Sequence, residues 1–246
     1  MKKKFLKIML IISLVISVQG FQISLCQNYQ RIPLIGSQAP QFTAPSTMGM
    51  LTFPRDFGNA WKILFSHPRD FTPVCSSEIL ELANKQDEFK KLGAQIVILS
   101  VDKMASHKSW KADLESVSYK GREQLQIDFP FVVDSSSAIS RSYGMMDPNS
   151  EGTQSVRGVF FIDPENEIRA FQFYPNQVGR NTDEILRILK ALQTQQSHEN
   201  IVMPANWQPG DDVMVPFLSE EDKKELQKPE PSVHYINWYM IFRKIK

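Results

Sequence analysis

Cysteine is all but missing from this chain: 246 residues hold two, Cys26 and Cys75. That scarcity excludes a disulfide framework and any C-x-x-C redox or metal motif. Histidine is scarce too. Of the four present, His107, His198 and His234 lack neighbours at metal-ligand spacing, so neither zinc nor haem is signalled and no cofactor is expected. Neither sign of charge dominates, with 28 Lys and Arg against 27 Asp and Glu and a net charge of +1. With no basic stripe carrying interleaved aromatics, nucleic acid is not an expected partner. Repeats and low-complexity tracts are absent as well, and 42% hydrophobic content over this length suffices for one large core plus an extension.

The N-terminus departs from this even composition. Lys2, Lys3, Lys4 and Lys7 precede the apolar segment Ile8 to Ile16, which is too short to span a bilayer but suits a secretory signal. Val18-Gln19-Gly20 offers small residues for cleavage before Phe21, so residues 1–20 are expected to be a signal peptide and the mature chain to work outside the cytoplasm, periplasmic or secreted. The alternative is membrane anchoring, by an uncleaved signal or by lipidation of Cys26, since Ile23-Ser24-Leu25-Cys26 resembles a lipobox. Leu25 is large for that motif.

The densest chemistry lies at Pro68-Arg69-Asp70-Phe71-Thr72-Pro73-Val74-Cys75. The apolar run Trp61 to Ser66 reads as a buried strand feeding into it. After it, Ile79, Leu80, Leu82, Ala83 and Phe89 fall near helical spacing. Thr72 suits an N-cap, Pro73 the first helical position, and Lys90-Lys91 the last turn. Cys75 is then the third residue of a helix, where unpaired N–H groups and the positive end of the dipole favour thiolate over thiol. A free cysteine is often only a small buried hydrophobe. The Thr-Pro cap is what favours a reactive one.

Pro68, Thr72 and Cys75 reproduce the P-x-x-x-T-x-x-C signature of peroxiredoxins, and Phe65 to Cys75 is similar to the one-cysteine subfamily. The likeness extends from about Ile35 to Val215. Ser155 to Asp163 resembles the strand that carries the family's active-site arginine, here Arg157, and Tyr174-Pro175 with Gly179-Arg180-Asn181 resembles the segment of a second arginine, Arg180. Pro204 to Val213 resembles the start of that subfamily's C-terminal extension. The resemblance implies a thioredoxin-like α/β fold and a thiol-dependent peroxidase acting on hydrogen peroxide and organic hydroperoxides. Cys75 would be the nucleophile that becomes a sulfenic acid, with Thr72, Pro68 and Arg157 completing the catalytic set. Arg180 would position Arg157 or nearby carboxylates, with an ordinary surface ion pair as the competing reading, and His67 would be an auxiliary. No cysteine follows Cys75, so an external thiol must regenerate it unless Cys26 survives processing and reaches the site. The resemblance also implies a homodimer with exchanged C-terminal arms.

Other functions fit less well. A thioredoxin-type oxidoreductase needs C-x-x-C, and Thr72 stands where its first cysteine would be. The phospholipase activity of some one-cysteine relatives uses a serine that Gly58-Asn59-Ala60-Trp61-Lys62 lacks. A holdase chaperone role is compatible with the aromatic C-terminus. Strand–helix alternation, then a hairpin at Pro164-Glu165-Asn166, then a helix from Asp183 to about Gln195, is the order of a thioredoxin-like mixed sheet flanked by helices. Residues 21–34 read as a linker, 35–195 as the peroxidase domain and 196–246 as a dimerisation arm. That arm is proline-rich and extended, without a core of its own, and ends in one strand-like run, Tyr235 to Phe242.

Overall fold

The computed structural model describes residues 32–150 and 154–245. Every residue of β3 (Trp61–Ser66) is buried, because both faces of this strand are covered. It lies beside β4 (Ala94–Ser100), parallel to it, and β6 (Arg157–Ile162), antiparallel to it. Around these three, β1 (Phe42–Ser46), β2 (Gly49–Phe53), β5 (Phe131–Val133) and β7 (Ile168–Tyr174) complete a mixed seven-stranded sheet of order β2-β1-β5-β4-β3-β6-β7. The helices are α1 (Pro73–Lys91), α2 (Met104–Ser116), α3 (Ala138–Ser142) and α4 (Thr182–Ser197).

Alternation along the strands splits the core into two layers. Ile63 and Phe65 of β3, with Val159 and Phe161 of β6, pack against Ile79, Leu82, Trp110, Ile185 and Leu189 from α1, α2 and α4. Leu64, Phe160 and Ile162 face the other way, onto Phe53, Val132 and Tyr143. The first layer is the one that holds Cys75. Lys62 is the exception in β3: it is fully buried, and its Nζ donates to Asn166 Oδ1 at 2.7 Å and to the Asp163 carbonyl at 3.1 Å. It thereby ties the central strand to the β6–β7 turn, and burial pushes its ammonium below the ordinary lysine range.

The segment from Gly36 to Phe42 joins the sheet edge through an isolated bridge at Gln38, and the first regular strand begins at Phe42. The C-terminal reading needs correction. Residues after α4 form a second sheet, β8-β10-β9, from β8 (Val213–Met214), β9 (Val233–Asn237) and β10 (Met240–Arg243), with a short helix α5 (Glu220–Glu225) between. Ile201, Trp207, Val213, Val215, Val233 and Ile241 make a small apolar cluster there, against which Ala191 of α4 packs. Tyr235 to Phe242 is a hairpin rather than one strand, because Trp238 and Tyr239 form its turn. Prolines at 204, 209, 216, 229 and 231 fall between these elements, where missing N–H groups cost no ladder bond.

Candidate active site

The loop from His67 to Thr72 connects β3 to α1 and sets the position of Cys75. Pro73 occupies the first helical position as the sequence requires, and Thr72 stands at the N-cap with extended backbone. Its hydroxyl does not cap the helix, however. It donates to the Arg69 carbonyl at 2.9 Å, inside the loop, which leaves the first-turn N–H groups around Cys75 without that side-chain acceptor. Phe71, just before the cap, has φ of 54°, a left-handed conformation costly for an aromatic residue, and its ring is 55% exposed.

Cys75 is wholly buried, and its sulfur meets one formal charge directly: Nη1 of Arg157 lies 3.2 Å from Sγ. The same Nη1 donates to Glu78 Oε2 at 2.7 Å. Nε and Nη2 of Arg157 donate to the Asn176 carbonyl at 3.0 and 2.7 Å, so the whole guanidinium fork is fixed. Glu78 stands three residues after Cys75, one turn further along α1 on the same face. Arg180 grips it from the other side, with Nε to Oε1 at 2.8 Å, Nη2 to Oε2 at 2.9 Å and its backbone N–H to Oε1 at 2.7 Å. Its remaining nitrogen, Nη1, donates to the Gly158 carbonyl at 2.6 Å, and the guanidinium stacks 3.2 Å above the centre of the Phe65 ring.

Burial alone would raise the Glu78 carboxyl, but the Arg180 hydrogen bonds and charge outweigh it and hold Glu78 below its ordinary value. Arg180 itself is lowered by burial, with Glu78 opposing that shift. The charge count is informative. Two buried guanidinium groups face one buried carboxylate, a surplus of one positive charge in a dry site. That surplus lies against the Cys75 sulfur, through Nη1 of Arg157.

Of the residues expected at the site, Cys75, Arg157 and Arg180 are thus brought together, Arg180 through Glu78 rather than through direct contact with the sulfur. Pro68 is buried in the loop, and Thr72 is half-buried beside it. His67 is buried, and among the described residues the ring's hydrogen-bond partner is not Cys75 but Asp70: Nε2 meets Oδ1 at 2.8 Å. His107, which has no partner at ligand spacing in the sequence, reaches the other Asp70 oxygen at 2.8 Å. Ligand atoms of His67, Asp70 and Asp102 come within 4.8 Å of one another. They are bonded among themselves and to Ser100, the pattern of an internal hydrogen-bond network. Glu78 and the Asn176 carbonyl are additions that the sequence reading misses. Glu78 has a readable signal, an acidic residue three after the nucleophile and next to the apolar Ile79-Leu80; a backbone carbonyl has none.

A mixed sheet of this order, with a buried arginine-paired cysteine in the first turn of the helix after its central strand, defines a thioredoxin-like thiol peroxidase. Residues 35–171 match the AhpC/TSA family, and residues 191–228 match the C-terminal domain of 1-Cys peroxiredoxin. The chain belongs to the AhpC/TSA family, as a peroxiredoxin of the one-cysteine subfamily. A peroxiredoxin of Methanosarcina mazei is 44% identical over 87% of this chain and 98% of its own, and one of Thermotoga maritima is 40% identical over 87% and 99%. Among solved structures, a cysteine-to-serine mutant of Arenicola marina peroxiredoxin 6 is 34% identical with a TM-score of 0.77, over 86% of this chain and 98% of that one. The yeast mitochondrial 1-Cys peroxiredoxin, whose thiol is resolved via glutathione/thioredoxin systems, is 36% identical with a TM-score of 0.75, over 87% and 100%. The protein is a thiol-dependent peroxidase.

Proposed function

We propose that Cys75 is the peroxidatic nucleophile and that Arg157, Thr72 and Pro68 form its immediate catalytic surroundings. The observation that carries this reading is the 3.2 Å contact between Arg157 Nη1 and the buried sulfur. The thiolate attacks one oxygen of the peroxide; an S–O bond forms, the O–O bond breaks, and the departing hydroxide or alkoxide takes a proton from solvent. Arg157 is held by Asn176 and Glu78 before substrate arrives, so its positive charge needs no reorganisation as negative charge moves from sulfur to oxygen. The Thr72 hydroxyl is already directed into the loop and turns to the peroxide only by exchanging its bond to Arg69. Pro68 contributes bulk that limits water around the sulfenic acid.

Regeneration falls to an external thiol. It attacks the sulfenic sulfur, releasing water and leaving a mixed disulfide, and a second thiol restores the thiolate of Cys75 while the two donors leave as a disulfide. The absence of cysteine after residue 75 supports this, as does the likeness to the yeast enzyme resolved via glutathione/thioredoxin systems. Cys26 and the expected signal at 1–20 lie outside the described residues. Export remains the proposal on the basis of that segment, checked by locating the processed chain in fractionated cells.

A homodimer completes the proposal. Phe217, Tyr235, Ile236, Trp238 and Tyr239 are all at least 60% exposed, and all belong to the C-terminal sheet or its flanks. That many large exposed apolar and aromatic side chains in one small unit call for a covering surface. Sedimentation at micromolar concentration should give twice the chain mass, and a monomer would remove this part of the reading.

The enzymatic reading is tested by single-turnover mixing of the mature, reduced protein with peroxide, followed by intact mass. The expected result is one peroxide consumed per chain, one oxygen added at Cys75, and no further turnover until a monothiol is supplied. Loss of two hydrogens with a Cys26–Cys75 link would assign regeneration to Cys26 instead.

A further inference from the structure

Beside the peroxide-reducing cluster lies a second buried polar network that the reaction as described leaves unused. Both carboxylate oxygens of Asp70 are engaged by histidines, Oδ1 by His67 Nε2 and Oδ2 by His107 Nδ1, each at 2.8 Å. The backbone N–H of Asp70 donates to Asp102 Oδ2 at 2.9 Å, and Ser100 Oγ donates to the same oxygen at 2.9 Å. His107 Nε2 faces the Val132 carbonyl at 3.3 Å. The loop is thus fastened to α2, β5 and the end of β4 through one aspartate. His67, Asp70 and His107 are all almost completely buried.

Such a network is an expensive way to fill space. A packed apolar trio of equal volume would hold the fold as well or better, so the polar groups must supply orientation. Three observations identify what they orient. First, Asp70 lies midway between Pro68 and Thr72. Second, Phe71 sits at φ 54°, a conformation that persists only where its surroundings impose it, and the bonds to Asp70 anchor the residue directly before it. Third, an ionised carboxylate only accepts, so the His67 nitrogen facing it must carry the hydrogen. That leaves His67 Nδ1 unprotonated, and this atom is buried with no partner among the described residues. Burial pushes the His67 imidazole below its ordinary value, in keeping with that assignment.

We propose that Asp70 and His107 are positioning residues for peroxide reduction, fixing the Pro68–Thr72 turn against α2 and locking His67 as its Nε2–H tautomer. The proposal rests on the reading of Cys75 as nucleophile. It adds that the rate depends on a hydrogen bond made on α2, outside the contacts of the Cys75 sulfur.

The test compares His107→Leu with His107→Gln in the full mature chain. Leucine fills the site without a donor, whereas glutamine retains an N–H for Asp70 Oδ2. The second-order rate of hydrogen-peroxide reduction should fall roughly ten- to hundred-fold in the leucine variant, as for a small misplacement of reacting groups, and return to within a few-fold of wild type with glutamine. Equal rates in the two variants would overturn the proposal, because packing alone makes no such distinction. A second measurement needs no substitution: ring-nitrogen NMR of wild-type protein should show one His67 tautomer, protonated at Nε2. A mixture of tautomers, or protonation at Nδ1, would also overturn it. A wild-type protein that consumed no peroxide while showing the expected tautomer would instead strike the reading of Cys75.

Discussion

At the scale of single residues, the account turns on Glu78. It is the carboxylate between two buried guanidinium groups, and it fixes Arg157 in the position from which Nη1 meets the sulfur. Replacement by glutamine keeps the shape but leaves both arginines short of a counter-charge. Breaking a buried pair in this way costs about 3–5 kcal/mol. The expected outcome for Glu78→Gln is a marked loss of stability in denaturant titration together with slower peroxide reduction. Unchanged midpoint and rate would mean that Arg157 is held by Asn176 alone. Cys75, Thr72, Pro68 and both arginines are legible in the sequence because each is a distinctive residue type in a motif. The Asp70 network is not, since His67, Asp102 and His107 are joined by folding and not by spacing.

The elements themselves are largely readable. The apolar run at 61–66, the Thr-Pro start of α1 and the Pro164–Asn166 turn mark boundaries that the structure keeps, because period, capping and turn chemistry agree there. Two features escape such a reading. Thr72 has the residue type of a capping side chain, but its hydroxyl is turned to donate to the Arg69 carbonyl and accepts no first-turn N–H. Lys62 interrupts a buried strand and is tolerated only because the turn after β6 supplies oxygen atoms to its ammonium, a contact between residues far apart in sequence. Lys62→Met would fill the same space and orphan those acceptors. Unfolding free energy should fall by about 1–3 kcal/mol, the cost of unpaired buried polar groups. A gain in melting temperature would show instead that desolvating the ammonium outweighs its bonds.

For the molecule as a whole, three buried groups that titrate in the acid range set a common direction with pH. His67 is held below its ordinary 6.5, by burial first. Asp70 and Glu78 are held below 3.8 and 4.5 although burial opposes it, through their histidine and arginine bonds. In all three the folded value lies below the unfolded one, so the unfolded chain binds protons first on acidification. Their contribution is fully present above the unfolded value and disappears as pH falls. Melting temperature should therefore decline from about pH 6.5 downward, and more steeply below about pH 4.5. A melting temperature that rose between pH 7 and pH 5 would contradict the assignment. The C-terminal unit is the least legible part at this scale. Its six-residue cluster is assembled from short segments separated by prolines, too scattered for any period to register.

Rapid-mixing measurement of peroxide consumption by wild type, Cys75→Ser and Arg157→Met tests the central claim most directly. The account predicts one equivalent consumed rapidly by wild type and none by the serine variant. The methionine variant should be slower by about a hundred-fold or more, as when one preorganised transition-state donor is removed. Consumption by Cys75→Ser at the wild-type rate, or an unaltered rate in Arg157→Met, would contradict it.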